Sequence, residues 1–266
     1  MTHNISTAIQ QLFRGLIDFL CPPSCIYCGS NVKSGQELCH DCYQKYAAEA
    51  AQICPICEKT ALECECCEEF SRFTKTVINN RRHISLFFYN GAKRAENMGR
   101  ISEDMLLQLK SSGKFSGFFA NELAVEIRRA ARISGIGLGE WTVTYIPRSV
   151  ANFEKYGVDQ GEEVAERLAR KLDIPMKKTF VRADGAAQKE LDAKSRLTNA
   201  ELTIVPRKVA IEKGAKYILF DDVITTGSSV QACARHLYFC GADAVFPIST
   251  AKTLPIKQKH SATNNK

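Results

Sequence analysis

The 266-residue sequence contains no apolar run long enough to form a membrane-spanning helix. It has no large excess of either charge, because 36 lysine and arginine residues stand against 29 acidic residues. Its first twenty residues lack a basic start and a small-residue cleavage site, and Asp18 interrupts their apolar part. We therefore expect a cytoplasmic globular protein without a signal peptide or membrane insertion, and apolar residues at helical spacing between Ile9 and Leu20 predict an amphipathic helix there.

Cysteine is nearly absent from most of the chain, because ten of the twelve cysteines lie between Cys21 and Cys67. A secreted disulfide framework does not explain this clustering, whereas CxxC pairs in a reducing compartment are typical of metal ligands. Each pair supplies two thiolates from one turn, and two pairs complete a tetrahedral zinc site. The four pairs are Cys25 and Cys28, Cys39 and Cys42, Cys54 and Cys57, and Cys64 and Cys67.

These pairs predict two structural zinc sites of four cysteines each, with a redox or disulfide role as the alternative. The short loops favour sequential pairing, in which the first two pairs form one site and the last two form the other, but a crossed arrangement stays open. Cys66 competes with Cys64 and Cys67 as a ligand, and Cys21 is left over. Four protein ligands leave no open coordination position, which argues against catalytic zinc.

The cysteine-rich module, residues 1–70, is acidic, with four lysine and arginine residues against nine aspartate and glutamate residues. Bound zinc makes it more negative, since four thiolates outweigh the two charges of the metal. A negative module is a poor candidate for binding a phosphate backbone. We therefore expect it to dock on the rest of the protein or on a partner protein.

Residues 71–256 alternate strand patterns with amphipathic helix patterns, which predicts an α/β domain. Its first part, 75–133, is basic and contains Arg128 and Arg129, which indicate either a solvated helix face or a contact with nucleic acid. Residues 257–266 form a polar tail that we expect to be disordered. Strands are predicted at 83–89, 142–146, 180–182, 218–220 and 244–248, and helices at about 98–109, up to 133, up to 172 and at 228–240.

The predicted strand 218–220 ends in two acids and then a hydroxyl-rich loop before a helix. Asp221 and Asp222 are acceptors suited to two adjacent hydroxyls, such as a ribose diol, provided that the strand breaks at Asp222 so that both reach one ligand. The loop then offers hydroxyls, a glycine and outward N–H groups at a helix start, which together form a phosphate cradle. The cradle residues are Thr225, Thr226, Gly227, Ser228 and Ser229. The alternative is an acidic strand end followed by an ordinary helix N-cap.

The stretch from Asp221 to Gly227 resembles the motif with which type I phosphoribosyltransferases bind 5-phosphoribosyl-1-pyrophosphate (PRPP). With the CxxC pairs, it makes the chain similar, from about residue 20 to 253, to the ComF family of competence-associated proteins. Further support comes from residues 89–91, 106–110, Pro147, 157–160, Gln188 and 196–199. The resemblance implies a type I phosphoribosyltransferase-like domain with a mostly parallel open sheet, an N-terminal zinc finger and a part in the uptake of transforming DNA. It also implies that Asp221 and Asp222 hold the ribose hydroxyls and that the cradle holds the 5′-phosphate.

Two functions stay open under this resemblance. In the first, the protein binds PRPP and handles single-stranded DNA during uptake, with partner proteins on the zinc module. In the second, it is a nucleobase-salvage phosphoribosyltransferase, in which Mg²⁺ binds the pyrophosphate and cations stabilise charge on the leaving group. Arg148 and Lys189 are the predicted catalytic residues because of their loop positions, with Lys155, Lys194 and Arg196 as further candidates.

Overall fold

A computed structural model of the protein describes residues 22–66, 76–90, 100–182, 200 and 202–254. The chain forms two compact units, residues 1–48 and residues 49–266. The sequence interpretation sets a boundary after residue 70, whereas the contacts within the structure assign the second group of cysteines to the larger unit. The helix predicted between Ile9 and Leu20 and the tail 257–266 lie outside the described residues.

The smaller unit brings its cysteines together through a tight turn and a helix start. A bridge between Ser24 and Asn31 closes the turn, and the N–H of Cys25 donates to the carbonyl oxygen of Ser30 over 2.7 Å. Helix α1, His40–Ala50, begins directly after Cys39 and carries Cys42 in its first turn. Each CxxC pair of this unit therefore sits where the backbone changes direction.

The larger unit is built on a four-stranded sheet with the order β1-β6-β5-β2, in which all neighbours run parallel. The strands are β1 Ile84–Tyr89, β2 Trp141–Tyr145, β5 Lys216–Ile224 and β6 Ala244–Thr253. A separate antiparallel pair consists of β3 Phe180–Arg182 and β4 Ile204–Pro206. The carboxyl ends of the parallel strands meet at one edge, where open α/β sheets bind their ligands.

Helices flank this sheet, and the apolar stripes of the sequence explain their positions. In the helix Gln160–Leu172, for example, Val164, Leu168 and Leu172 recur at helical spacing and are buried. The helices of the larger unit are α2 Ile101–Ser112, α3 Ser116–Ile133, α4 Val150–Tyr156, α5 Gln160–Leu172 and α6 Ser228–Phe239. The predicted open and mostly parallel α/β sheet flanked by helices is confirmed. Among the described residues, no helix is both long and apolar enough to cross a membrane.

The predicted break of the central strand at Asp222 is wrong, because β5 continues through both acids to Ile224. Residues 218–220 are buried as expected for a central parallel strand. Beyond them, β6 continues to pair with β5, as in the pair of Asp221 with Ser249. Strand β2 stops at Tyr145, opposite Phe220. The two acids therefore lie on an extension of β5 that has a neighbouring strand on one side only.

Candidate functional site

A cavity of about 300 Å³ opens beside this extension of β5, at the carboxyl ends of β2 and β5. On the side that faces the loop after β2, this part of β5 is not paired with a strand. The cavity occupies the space beside this unpaired edge. The walls come from α2, the loop after β2, α4, the start of α5, β3, the end of β5 and the start of α6. The long polar side chains that line the cavity are Lys110, Arg148, Gln160, Arg182, Asp221 and Asp222.

Asp221 and Asp222 both line this cavity although they are neighbours on a continuous strand. Oδ2 of Asp222 accepts a hydrogen bond from Nε2 of Gln160 over 2.8 Å, and Nζ of Lys110 lies 3.7 Å from the same oxygen. The other oxygen accepts from the N–H of Val223 over 2.6 Å. Oδ1 of Asp221 accepts from the N–H of Asp222 over 2.9 Å. Each acid is therefore held by at least one donor of the protein itself, which fixes its orientation toward the cavity.

The environment of Asp221 disfavours its charged form. Burial and then the neighbouring carboxylate of Asp222 raise the pKa of Asp221 to about 8, and the nearby Lys110 and Arg182 offset only part of this rise. At neutral pH the Asp221 carboxyl is mostly protonated, so it can donate a hydrogen bond as well as accept one. Such a pair can bind two adjacent hydroxyls with donors and acceptors on both sides.

The turn from β5 to α6 has the geometry of an anion site. Gly227 adopts a φ of 76°, a left-handed conformation that glycine tolerates without strain. Oγ1 of Thr226 and Oγ of Ser228 lie 2.8 Å apart, so the turn holds its own hydroxyls together. Helix α6 begins at Ser228, and Ser229 lines the cavity. The first N–H groups of a helix have no intrahelical acceptor and carry partial positive charge, which favours an anion at this end of the cavity.

Asp159 joins the loop after β2 to the start of α5. Its Oδ1 accepts from the N–H of Gly161 over 3.0 Å, and its Oδ2 accepts from the N–H of Arg148 over 3.1 Å. A Cβ atom added at Gly161 would lie 3.1 Å from the carbonyl oxygen of Ile146 and 3.1 Å from the ring of Tyr145. Glycine at this position therefore lets the helix approach the loop closely enough for Asp159 to hold it.

Two buried polar atoms of the cavity wall have no hydrogen-bond partner among the described residues. The guanidinium of Arg148 stacks over Tyr156 at 4.4 Å from the ring centre and donates through Nη1 to Val158 O over 3.1 Å, but its Nε has no acceptor. Oε1 of Gln160, whose side chain is buried, has no donor. Buried polar groups are usually satisfied, so this donor and this acceptor point to a ligand that completes them.

The structure brings together some of the catalytic and ligand-binding residues that the sequence predicted. The predicted residues that line the cavity are Arg148, Asp221, Asp222 and Ser229. In the turn before α6, Thr225 is exposed, Thr226 is half-buried, and Gly227 and Ser228 are buried. Lys189, the second predicted catalytic residue, lies outside the described residues, as do Lys194 and Arg196.

Sequence reasoning did not assign Lys110, Gln160 or Arg182 to the site. Lys110 and Gln160 lie in stretches that carry the family resemblance, but nothing near them in the sequence indicates that both contact one carboxylate. The available signal for Arg182 was its place at the end of a predicted strand; its Nη1 donates to the carbonyl oxygen of Pro147 over 3.4 Å. Each of the three reaches the cavity through tertiary contacts that a sequence pattern does not encode.

The described residues contain two groups of four cysteines. Within each group, all four sulfur atoms lie within 4.8 Å of one another. Sγ of Cys28 lies 3.7 Å from Sγ of Cys39, and Sγ of Cys54 lies 3.9 Å from Sγ of Cys66. These distances fit the edge of roughly 3.8 Å in a tetrahedron with Zn–S bonds of about 2.3 Å. The first group is Cys25, Cys28, Cys39 and Cys42, and the second group is Cys54, Cys57, Cys64 and Cys66. Both groups can therefore hold a zinc ion.

The grouping follows the sequential order that the short loops favoured. The fourth sulfur of the second group is that of Cys66, which the sequence left as a competing ligand. Cys67, the predicted ligand, lies outside the described residues, as does Cys21. The second group packs against Phe88 of β1 and Leu254 after β6. The second group is therefore part of the packed core of the larger unit.

Residues 158–253 match the family model of the phosphoribosyl transferase domain. This segment begins just before α5 and includes β5, the turn that follows it and α6, which supply Asp221, Asp222 and Ser229 to the cavity. No curated protein matches the chain. By this match the segment is phosphoribosyltransferase-like, and the cavity lies at the carboxyl edge of its sheet.

Several solved structures resemble part of the chain. The allosteric regulatory enzyme of purine biosynthesis is 17% identical over 53% of this chain, with a TM-score of 0.34, and the chain spans 26% of that enzyme. Adenine phosphoribosyltransferase from Leishmania tarentolae is 14% identical, with 52% of this chain and 70% of that one covered and a TM-score of 0.32. Hypoxanthine phosphoribosyltransferase from Staphylococcus aureus is 10% identical, with 59% and 73% covered and a TM-score of 0.34.

Proposed function

We propose that the cavity binds a 5-phosphorylated ribose, with PRPP as the ligand that best matches its chemistry. The observation that carries the proposal is that Asp221, Asp222 and Ser229, at the start of α6, line one cavity. Adjacent acids bind the two hydroxyls of the sugar, and the helix start binds its 5-phosphate. A diol site and a phosphate site within one cavity of this size fit a sugar phosphate better than a free base or a free phosphate.

The cationic side of the cavity supports a ligand that also carries pyrophosphate. Lys110, Arg148 and Arg182 line the wall around the acids. Arg148 contributes a buried Nε that has no acceptor among the described residues. Mg²⁺ supplied with PRPP would neutralise the pyrophosphate further, while these side chains would orient it.

Calorimetric titration with PRPP and Mg²⁺ tests this proposal. The wild type is expected to bind PRPP, and a variant with Asp221→Asn and Asp222→Asn is expected to lose at least tenfold in affinity, since even one hydrogen bond to a charged group contributes about 1.5–3 kcal/mol. A matched control with Asp173→Asn and Asp243→Asn makes the same change at two acids that do not line the cavity and is expected to bind as the wild type does. Absence of PRPP binding by the wild type, or equal binding by both variants, would refute the proposal.

A second candidate function is catalysis by the same site, favoured by the placement of Arg148 and Lys110 beside the acids. In such a reaction an acceptor attacks the anomeric carbon, the bond to pyrophosphate breaks, and the leaving group carries the electron pair away as developing negative charge. Pyrophosphate release from PRPP in the presence of purine and pyrimidine bases measures this activity. Catalysis is supported if the wild type releases pyrophosphate and Arg148→Met abolishes this release while it still binds PRPP. If the wild type releases no pyrophosphate with any base, catalysis is excluded and the site only binds PRPP.

For the role of the whole protein, the similarity to the ComF family supports DNA uptake in the cytoplasm, with single-stranded DNA and uptake proteins as partners. Arg128 donates to the carbonyl oxygen of Lys171 in α5, so it has a structural contact. Arg129 and Arg132 are also exposed on α3, and Arg129 lies 3.7 Å from Glu126 at the surface. Reversal of these two to glutamate is expected to weaken single-stranded DNA binding, and wild-type binding is expected to fall as salt rises. If neither salt nor the reversal changes DNA binding, the surface formed by Arg129 and Arg132 is not the DNA-binding site.

A further inference from the structure

Lys252, the next-to-last residue of β6, is a lysine with 0% of its surface exposed. Its Nζ donates to the carbonyl oxygen of Cys64 over 2.6 Å and approaches Nε2 of His83 at 3.2 Å. It also lies 5.9 Å from the centre of the Phe88 ring. Within the described part of the chain, no carboxylate oxygen lies within 4.0 Å of this nitrogen. Lys252 is therefore a buried cation surrounded by neutral acceptors.

The neighbouring histidine does not supply the missing negative charge. Burial and the adjacent Lys252 lower the pKa of His83 to about 3, so its ring is neutral and Nε2 can accept from the ammonium group. Its Nδ1 lies 3.8 Å from Oε1 of Glu65, at the far side of the ring. A buried ammonium group that only neutral groups contact is strongly unfavourable. The Glu65 carboxylate, which interacts with the charge of Lys252 from beyond the ring, offsets part of this cost, and further negative charge near Lys252 has to offset the rest.

The second cysteine group is placed to supply that charge. Cys64 is both a member of the group and the residue whose carbonyl accepts from Lys252. Cys54 and Cys64 pack against Phe88, the residue of β1 that pairs with Lys252 across the sheet. Four thiolates around a divalent ion carry a net charge of about −2, in a buried environment where charges interact strongly.

We propose that Lys252 is the counter-ion of the second cysteine group and that it retains the metal ion in that group. As a positioning residue it acts from outside the ligand shell, through its hydrogen bond to the backbone of Cys64 and through its charge. Its backbone pairs with Phe88 in β1 and with Ile224 in β5, so its side chain connects the metal group to a strand that has neighbours on both sides. This role concerns the metal group alone and does not depend on the ligand of the cavity.

Zinc retention by three variants of the full chain tests this role. Lys252→Met removes the charge and keeps the length of the side chain, Lys252→Arg keeps the charge, and Lys59→Met removes an exposed charge within the segment of the second group. The readouts are zinc per chain by mass spectrometry and the rate of zinc release to a chromogenic chelator. Cys39→Ser removes a ligand of the first group and so identifies the release phase of the second.

In the wild type and in Lys59→Met we expect two zinc ions per chain and unchanged release. In Lys252→Met we expect the second group to release zinc about 10–100 times faster, or to lose it, as when other groups that support metal ligands are removed. Release from the first group in the same molecule is expected to stay within about threefold and so serves as the internal reference.

Two results would overturn the proposal. If Lys252→Met keeps both zinc ions with wild-type release, the charge has no part in retention. If Lys59→Met releases zinc as fast as Lys252→Met, any nearby cation suffices and the buried contact is irrelevant. Should Lys252→Met fail to fold, Lys252→Arg decides, because a counter-ion role requires that it keep both zinc ions, and loss of the second ion from this variant refutes the role.

Discussion

At the scale of single residues, the cavity pairs two acids with different surroundings. Asp222 is held by Gln160 and lies beside Lys110, whereas burial and the neighbouring carboxylate keep Asp221 protonated at neutral pH. The extension of β5 beyond the end of β2 creates this difference. It leaves the acids beside a cavity, where a longer β2 would otherwise pair with them. A site in which the Asp221 carboxyl can donate as well as accept suits a diol, since each hydroxyl both donates and accepts.

Asp221→Asn is expected to flatten the pH dependence of stability. The pKa of Asp221 is about 8 in the folded protein, above the value of about 3.9 in unfolded chains, so the folded state binds this proton more tightly. The wild type therefore loses stability as pH rises from about 4 to 8, and above pH 8 we expect the variant to be the more stable by on the order of 1–3 kcal/mol. Urea unfolding at several pH values measures this effect.

Asp243→Asn, at an exposed acid, is the control for this measurement and is expected to follow the wild type at every pH. A wild type whose stability relative to Asp221→Asn increases between pH 5 and 9 would contradict the raised pKa.

Gln160→Met is expected to weaken PRPP binding about two- to twelvefold. The change removes the 2.8 Å hydrogen bond to Asp222 and the unpartnered Oε1 while keeping the size of the side chain, and one neutral hydrogen bond contributes about 0.5–1.5 kcal/mol. The control Gln108→Met makes the same change in α2, away from the cavity wall. Equal PRPP affinity of both variants in a calorimetric titration would show that Gln160 does not orient the acid.

At the scale of elements, the site depends on a mismatch in length between two strands. Strand β2 ends at Tyr145, and β5 runs on to Ile224. The loop after β2 turns away and is fixed to α5 through Asp159, which accepts from the backbone of both Arg148 and Gly161. The position of Arg148 in the cavity wall is thus set by a helix cap rather than by its own strand.

Gly161→Ala tests how closely α5 approaches the loop. The added Cβ would meet the carbonyl oxygen of Ile146 and the ring of Tyr145 at 3.1 Å, so we expect a loss of about 1–3 kcal/mol in unfolding free energy, as for other overpacked sites, and weaker PRPP binding. Gly139→Ala is the control, because nothing lies within 4 Å of its added Cβ. Denaturant unfolding that gives equal stabilities for the two variants would show that the contact relaxes without cost.

The parts that sequence patterns predicted are those with a strong local cause. Apolar runs in the sequence predicted β1, β2, β3 and β5, and helical patterns predicted α5 and α6. The predicted bounds of these elements lie within a few residues of the observed bounds. Helix α4 and strand β4 were missed because they span only seven and three residues and carry no long periodicity. The end of β5 was misplaced because acids usually mark a strand end, whereas pairing with β6 carries this strand through them.

The site was predictable to the extent that its residues are neighbours in the chain. Asp221, Asp222 and the turn before α6 form one continuous motif, so the sequence showed their chemistry directly. Lys110 and Gln160 converge on Asp222 from separate helices, and that convergence exists only in the folded chain. The cysteine groups lie between these cases, since the spacing indicated the pairing and left Cys66 as one of the competing ligands of the second group.

At the scale of the whole molecule, the two cysteine groups belong to different units. The first lies within residues 1–48 and the second within residues 49–266. Only the second is part of the unit that contains the parallel sheet, where it packs on Phe88 and contacts Lys252 through Cys64. Loss of metal from the two groups should therefore affect the phosphoribosyltransferase-like domain unequally.

Cys64→Ser is expected to lower the melting temperature of the domain by more than about 5 °C, because a structural zinc site contributes directly to folding free energy. Cys39→Ser, the matched change in the first group, is expected to leave the main transition within about 2 °C of the wild type. Scanning calorimetry of the zinc-loaded proteins measures both. Equal shifts for the two variants would contradict the assignment of the second group to the domain.

A crystal structure of the protein with PRPP and Mg²⁺ is the most direct test of PRPP binding in the cavity. Both ribose hydroxyls are expected within about 3 Å of the carboxyl oxygens of Asp221 and Asp222. The 5-phosphate is expected at the N–H groups of Ser228 and Ser229, and the pyrophosphate on the side of Arg148. PRPP bound with its diol away from both acids, or a cavity that stays empty at saturating PRPP while the ligand binds elsewhere, would contradict it.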